Sequence, residues 1–158
     1  MMFTDQLTQA ICQERAQYPE SRRASALVPV LHRVQQNFGW LSPEDLAQIA
    51  QLLDLPLAAV WETASFYPIF NLRPTGKYRL VVCTGLPCAL SGATHTANYL
   101  KQKLGIGFGE TTADGKFTLL EGECMGACDE APVLRVQDIR LKSRMHAPDI
   151  DRLIAECV

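Results

Sequence analysis

Nowhere in the chain is there an apolar run approaching the roughly 18–20 residues that a membrane span needs, because Gln, Asp and Pro interrupt every candidate. Direct membrane insertion is therefore not expected. Surplus positive charge is lacking too: 15 Lys and Arg stand against 17 Asp and Glu, a formal charge of −2. Without a basic field to attract phosphate backbones, nucleic acid is excluded as an expected partner. Met1-Met2-Phe3-Thr4-Asp5 lacks the basic-then-apolar layout of a secretory signal. These absences lead us to expect a cytoplasmic chain. No C-x-x-C pair is present, which argues against a thioredoxin-type catalytic dithiol. No strand–GxGxxG–helix unit occurs either, so the chain is not expected to bind a dinucleotide itself. Gly105-Ile106-Gly107-Phe108-Gly109 comes closest, but it follows a helical pattern instead of opening one, and reads as a flexible turn.

Apolar residues make up 47% of the chain and charged residues 20%, enough to build a packed core. Up to about residue 70 the periodicity is helical. Leu27, Val30, Leu31, Val34 and Phe38 share one face of a helix that starts near Ser25 or Ala26, with Pro29 in its first turn and Gly39 closing it. Ser42-Pro43-Glu44-Asp45 supplies an N-cap, a first-turn proline and two carboxylates facing the dipole of a second helix. A third helix is expected over 57–66, with Val60, Trp61 and Ala64 buried. Turn-rich Asn71-Leu72-Arg73-Pro74-Thr75-Gly76 marks a boundary, dividing the chain into domains 1–73 and 74–158.

Beyond it the pattern alternates. Tyr78 to Cys83 and Lys116 to Leu120 read as strands flanking a helix over 93–104. Pro132 to Val136 and Ile139 to Leu141 read as paired strands around Gln137-Asp138, and a last helix spans 147–157. The expected fold is α+β: an N-terminal helical bundle, then a β-α-β-β-β-α sheet layer.

Six cysteines require a reason, and four of them cluster. Cys83 and Cys88 form a C-x4-C loop after one strand, while Cys124 and Cys128 form a C-x3-C loop after another. In a reducing compartment such grouped thiols more often hold metal than form disulfides. A [2Fe–2S] cluster takes four thiolates, two per iron, and one short loop can grip one iron. Gly85 and Gly126 would let peptide N–H groups approach the cluster sulfurs. Glu121, Glu123, Asp129 and Glu130 add negative charge to a centre already carrying about −2 when oxidised, which should keep its potential low. Structural Cys₄ zinc remains open, although it usually uses C-x2-C knuckles. Cys12 and Cys157 read as small helix residues. His32, His95 and His146 read as surface or capping residues, and Phe66 to Phe70 as an aromatic packing cluster or a partner surface.

Longer motifs carry a resemblance. They run from Ala26-Leu27-Val28-Pro29-Val30-Leu31-His32 with Gln35, through Gly39-Trp40-Leu41-Ser42, Ala64-Ser65-Phe66-Tyr67 and Pro74-Thr75-Gly76-Lys77-Tyr78. They continue through the Cys83/Cys88 loop, Gly109 to Leu119, and Cys124-Met125-Gly126-Ala127-Cys128 with Ala131-Pro132. The chain thereby resembles the thioredoxin-like [2Fe–2S] subunits of NADH:quinone oxidoreductase, respiratory complex I, over nearly its whole length. Ser65, Thr75 and Met125 stand where that family commonly has Thr, Val and Leu; none removes a thiol. The resemblance implies a thioredoxin-like second domain and one [2Fe–2S] cluster on Cys83, Cys88, Cys124 and Cys128. It also implies a partner subunit holding FMN and NADH, single-electron exchange between that flavin and the cluster, and no general acid or base of the chain's own. Equivalent subunits of NAD-linked hydrogenases and formate dehydrogenases are the alternative within electron transfer. A zinc-stabilised thioredoxin-like interaction module is the alternative outside it.

Overall fold

The computed structural model describes residues 3–137 and 140–157. Two compact units divide the chain, Met1–Pro74 and Thr75–Val158. In the first, α1 (Asp5–Arg15), a 3₁₀ segment (Glu20–Ala26), α2 (Leu27–Phe38), α3 (Pro43–Leu53) and α4 (Leu57–Phe66) follow one another.

The helix ends have local causes. Thr4 accepts from the Leu7 N–H at the start of α1. The Ser42 hydroxyl accepts from the Asp45 N–H while the Asp45 carboxylate accepts from the Ser42 N–H, a reciprocal capping box that opens α3. Gly39 closes α2 at φ 81°, where a side chain would be strained. Of the expected α2 stripe, Leu27, Val30, Leu31 and Val34 are buried while Phe38 at its end is half-buried; on α3, Leu46, Ile49, Ala50 and Leu53 are buried. With Ile11 and Leu41 they form one core. Trp61 departs from expectation. It is half-buried and packs at the edge of that core, because Val60 and Ala64 take the inner face of α4.

In the second unit the order is β1 (Tyr78–Cys83), α5 (Leu86–Leu90), α6 (Ala93–Leu104), β2 (Phe117–Gly122), a 3₁₀ turn (Cys128–Glu130), β3 (Leu134–Val136), β4 (Arg140–Lys142) and α7 (Ala147–Glu156). The strands lie in the order β2-β1-β3-β4. β1 runs parallel to β2 and antiparallel to β3, and β3 runs antiparallel to β4. Central β1 is buried along nearly its full length, as an inner strand should be. Leu80, Val82, Leu119, Leu134 and Val136 pack against Ala97 and Leu100 of α6 and Ile150 and Leu153 of α7. Thr96 donates from α6 to the Met145 carbonyl at 2.7 Å, fixing the approach to α7.

β2 runs two residues further than its sequence pattern predicts, and α5 occupies the Cys83–Cys88 loop, where no helix is expected. The expected β-turn residue Asp138 and strand residue Ile139 lie outside the described residues. The Gly105–Gly109 segment is not a loose turn: the Gly109 N–H donates to the Leu119 carbonyl and the Gly107 N–H to the Glu110 carboxylate. No helix among the described residues is long and apolar enough to cross a membrane.

Candidate metal centre

Parallel pairing of β1 and β2 sets Cys83 opposite Gly122, so both strands finish at the same edge of the sheet. The loops that leave them carry all four clustered thiols. Past β1 the chain stays tethered: the Cys83 N–H donates to the Val133 carbonyl and the Thr84 N–H to the Gly122 carbonyl. It then turns through Gly85 into α5, whose inner face buries Cys88. A Cβ placed on Gly85 would sit 3.7 Å from the Cys83 Sγ and 3.7 Å from the Cys124 Cβ, so the two cysteine loops touch here. At Gly122 a Cβ would lie 2.6 Å from Val81 Cγ1 and 3.1 Å from Met125 Cε. A side chain at this position would have to displace Val81 where β2 ends against β1 and the Cys124–Cys128 loop begins.

Within that second loop the Cys124 and Cys128 sulfurs are 3.9 Å apart, and the Gly126 N–H points at the Cys124 Sγ from 3.5 Å. Gly126 adopts φ 76°, the left-handed conformation that turns its N–H inward. Two sulfurs bound tetrahedrally at about 2.3 Å to one metal would be separated by about 3.8 Å, so this pair already has the spacing of a chelate.

The two pairs differ in exposure. Cys83 and Cys88 are 2% and 1% exposed and pack with Ala93 and Val133, with Met125, Ala127 and Ala131 around them. Cys124 and Cys128 are exposed. Burial pushes the Cys88 thiol up, a backbone hydrogen bond at Val133 opposes this, and Cys83 and Cys128 raise it further. Cys128 is raised chiefly by its hydrogen bond to Cys124 and by that sulfur's charge, with burial, Cys83 and Asp129 adding to it. Thiols that oppose one another's ionisation form a set that a multivalent cation can discharge together. Among the described residues, no three His, Cys, Asp or Glu donors are grouped as a single ion would require. The soft sulfur donors come as two pairs, each on its own short loop, which fits an iron pair with two thiolates per iron.

Cys12 and Cys157 lie elsewhere. Cys12 is exposed on α1, and Cys157 is buried at the end of α7 in the sheet core. His146 caps α7, His95 is exposed on α6, and the His32 ring packs 4.9 Å from Phe70, a packing role where a surface one was expected. Glu121, Glu123, Asp129 and Glu130 are all exposed beside the thiols. Sequence reasoning missed the structural role of Gly122, whose need for glycine arises only when β1 and β2 pair.

Residues 11–158, which include all four thiols, match the thioredoxin-like [2Fe-2S] ferredoxin family. NADH-quinone oxidoreductase subunit 2 of Thermus thermophilus is 44% identical over 138 residues, 87% of this chain and 76% of that protein. An NADH-quinone oxidoreductase subunit from Rickettsia prowazekii is 44% identical over 122 residues, covering 77% of this chain and 69% of the relative. Among solved structures, an NAD+-reducing [NiFe]-hydrogenase in its air-oxidised state superposes on 83% of this chain with a TM-score of 0.73 at 27% identity. The chain spans only 22% of that hydrogenase chain. With four thiols converging at one sheet edge and a match over nearly its whole length, the chain belongs to the thioredoxin-like [2Fe–2S] ferredoxin family.

Proposed function

We propose that Cys83, Cys88, Cys124 and Cys128 hold one [2Fe–2S] cluster. On this reading the chain is an electron-transfer subunit of an NADH–quinone oxidoreductase, exchanging single electrons between its cluster and the FMN of a partner subunit that also binds NADH. The observation that carries this reading is the meeting of two thiol pairs where β1 and β2 end together. The cluster, when bound, supplies the one-electron redox couple.

The chain's own residues set its surroundings. Cys83 and Cys88 seat one side of the site in a dry pocket with Val133, while the Cys124–Cys128 loop presents the other side to solvent. The Gly126 N–H, 3.5 Å from the Cys124 sulfur, stabilises negative charge there and raises the potential. The acidic residues between 121 and 130 act in the opposite sense. In this reading the 74–158 domain carries the site.

An equivalent subunit of an NAD-linked hydrogenase is the second reading, supported by the structural likeness at TM-score 0.73. The 44% identity to oxidoreductase subunits, against 27% to the hydrogenase, favours the first. The test is spectroscopic. Purified protein should be brown, contain two irons per chain and give an EPR signal on reduction. Alanine at any of the four cysteines should abolish or badly weaken that signal, whereas Cys12→Ser should leave it unchanged. Colourless protein with one zinc per chain, or bleaching by Cys12→Ser, would overturn the assignment.

A further inference from the structure

The loop that carries Cys124 and Cys128 is tied to β1 at its start, where the Thr84 N–H donates to the Gly122 carbonyl. Its far end is held differently. Bonds from the Glu130 N–H to the Ala127 carbonyl and from the Ala131 N–H to the Cys128 carbonyl set its curl without reaching another element. Residues 143–146, which join β4 to α7, supply that tie. The Arg144 N–H donates to the Glu130 carbonyl at 2.9 Å, and the Met145 N–H donates to the Pro132 carbonyl at 2.9 Å. The Ser143 hydroxyl donates to the Glu130 carboxylate. This connection is itself anchored. Met145 is 4% exposed and packs in the sheet core with Ile150 and Leu153, and its carbonyl accepts from Thr96 of α6 at 2.7 Å. Arg144 stands at φ 52°, a left-handed conformation that a long side chain keeps only where its surroundings fix it.

We infer that Ser143 is a positioning residue for the redox site: its hydroxyl, bonded to the carboxylate two residues beyond Cys128, fixes the loop that carries the exposed thiol pair. This rests on the [2Fe–2S] reading proposed above. Cys83 and Cys88 are held by burial, whereas Cys124 and Cys128 are exposed and depend on such ties for their order. Residues 128–133 lie between two supports, the Cys83 N–H on the Val133 carbonyl and the 143–146 connection on Glu130 and Pro132. Of the three bonds from that connection, only the one from Ser143 joins two side chains, so a substitution can remove it and leave the backbone pair. A hydroxyl donating to a carboxylate is charge-assisted and stronger than a neutral bond. A cluster escapes from its less supported side, so this tether limits the rate at which it is lost.

The test follows bleaching of the cluster-loaded full chain in excess EDTA, with the urea midpoint of the metal-free chain as a control. Ser143→Ala should lose its cluster at least about three-fold faster than the wild type, at an unchanged midpoint. Ser143→Thr keeps the hydroxyl and should restore the slower rate. Glu130→Ala should match Ser143→Ala, and the double variant should bleach no faster than either single one, because both remove the same bond. Glu130→Gln keeps an acceptor oxygen and should stay near the wild-type rate; bleaching as fast as Glu130→Ala would assign the effect to charge and overturn the inference. An unchanged rate in Ser143→Ala, or additive effects of the two alanines, overturns it too and leaves the four-cysteine reading standing. If Ser143→Ala lowers the control midpoint, rescue by threonine decides, and failure of that rescue overturns the positioning role. Wild-type protein that takes up no iron overturns the cluster reading and this inference with it.

Discussion

Gln35 sits in the apolar stripe of α2 and is 1% exposed, yet both its amide nitrogen and its amide oxygen are hydrogen-bonded. Its Nε2 donates to the Ile69 carbonyl at 2.8 Å, and its Oε1 accepts from the Asn71 N–H at 2.7 Å. One side chain thus satisfies two backbone groups of the segment that follows α4. Gln35→Leu would fill the space but remove the hydrogen-bond partner of both half-buried backbone groups. We expect it to cost about 2–4 kcal/mol, read as a lower urea midpoint with an unchanged m-value. In the sequence this residue is only a polar interruption of a hydrophobic face; its partners lie 34 and 36 positions away. Gly122 is the same kind of case. Nothing around it in the sequence demands glycine, and the need comes from Val81 on the neighbouring strand. The four clustered cysteines, by contrast, can be picked out by spacing alone.

At the scale of elements, the long helices are legible because their signals are local. The α3 capping box, the glycine closing α2 and stripes at helical spacing need no distant partner. Five-residue α5 is not legible, because its exposed leucines flank a buried cysteine, a pattern with no ordinary amphipathic reading. Contacts between elements are beyond periodicity as well. Asp151 of α7 accepts hydrogen bonds from Lys103 and Tyr99 of α6, and these, the lysine first, hold its carboxyl below the ordinary aspartate value. The same contact raises Lys103. A carboxyl depressed on folding stabilises fully above its unfolded pKa and loses that contribution as pH falls through its folded pKa. The raised lysine contributes fully below its unfolded pKa and loses it as pH rises through its folded one. The wild type should therefore exceed Asp151→Asn in stability at neutral pH. The difference should vanish in acid below the ordinary aspartate range of about 4 and shrink in high salt, because both groups are exposed. Denaturation midpoints against pH at two salt concentrations check this.

At the scale of the molecule, the helical unit and the sheet unit each have their own core, and all four clustered thiols belong to the second. A fragment of residues 75–158 should accordingly fold and take up the cluster with the absorbance of the full chain. A colourless fragment would show that the first unit supports the site. Helical periodicity, capping residues, the α+β order and the grouping of thiols into two short loops were set by residues near one another in the chain, so the sequence alone determined them. Convergence of those loops was not. It follows from the parallel pairing of β1 with β2, which brings Cys83 level with Gly122 across 39 positions of chain. Tertiary structure alone also decided that one thiol pair is buried and the other exposed, and that Leu86 and Leu90 on α5 are left bare. The physical reason is the same throughout. Local signals report how a segment bonds to itself, whereas burial and proximity between segments exist only once the sheet has closed.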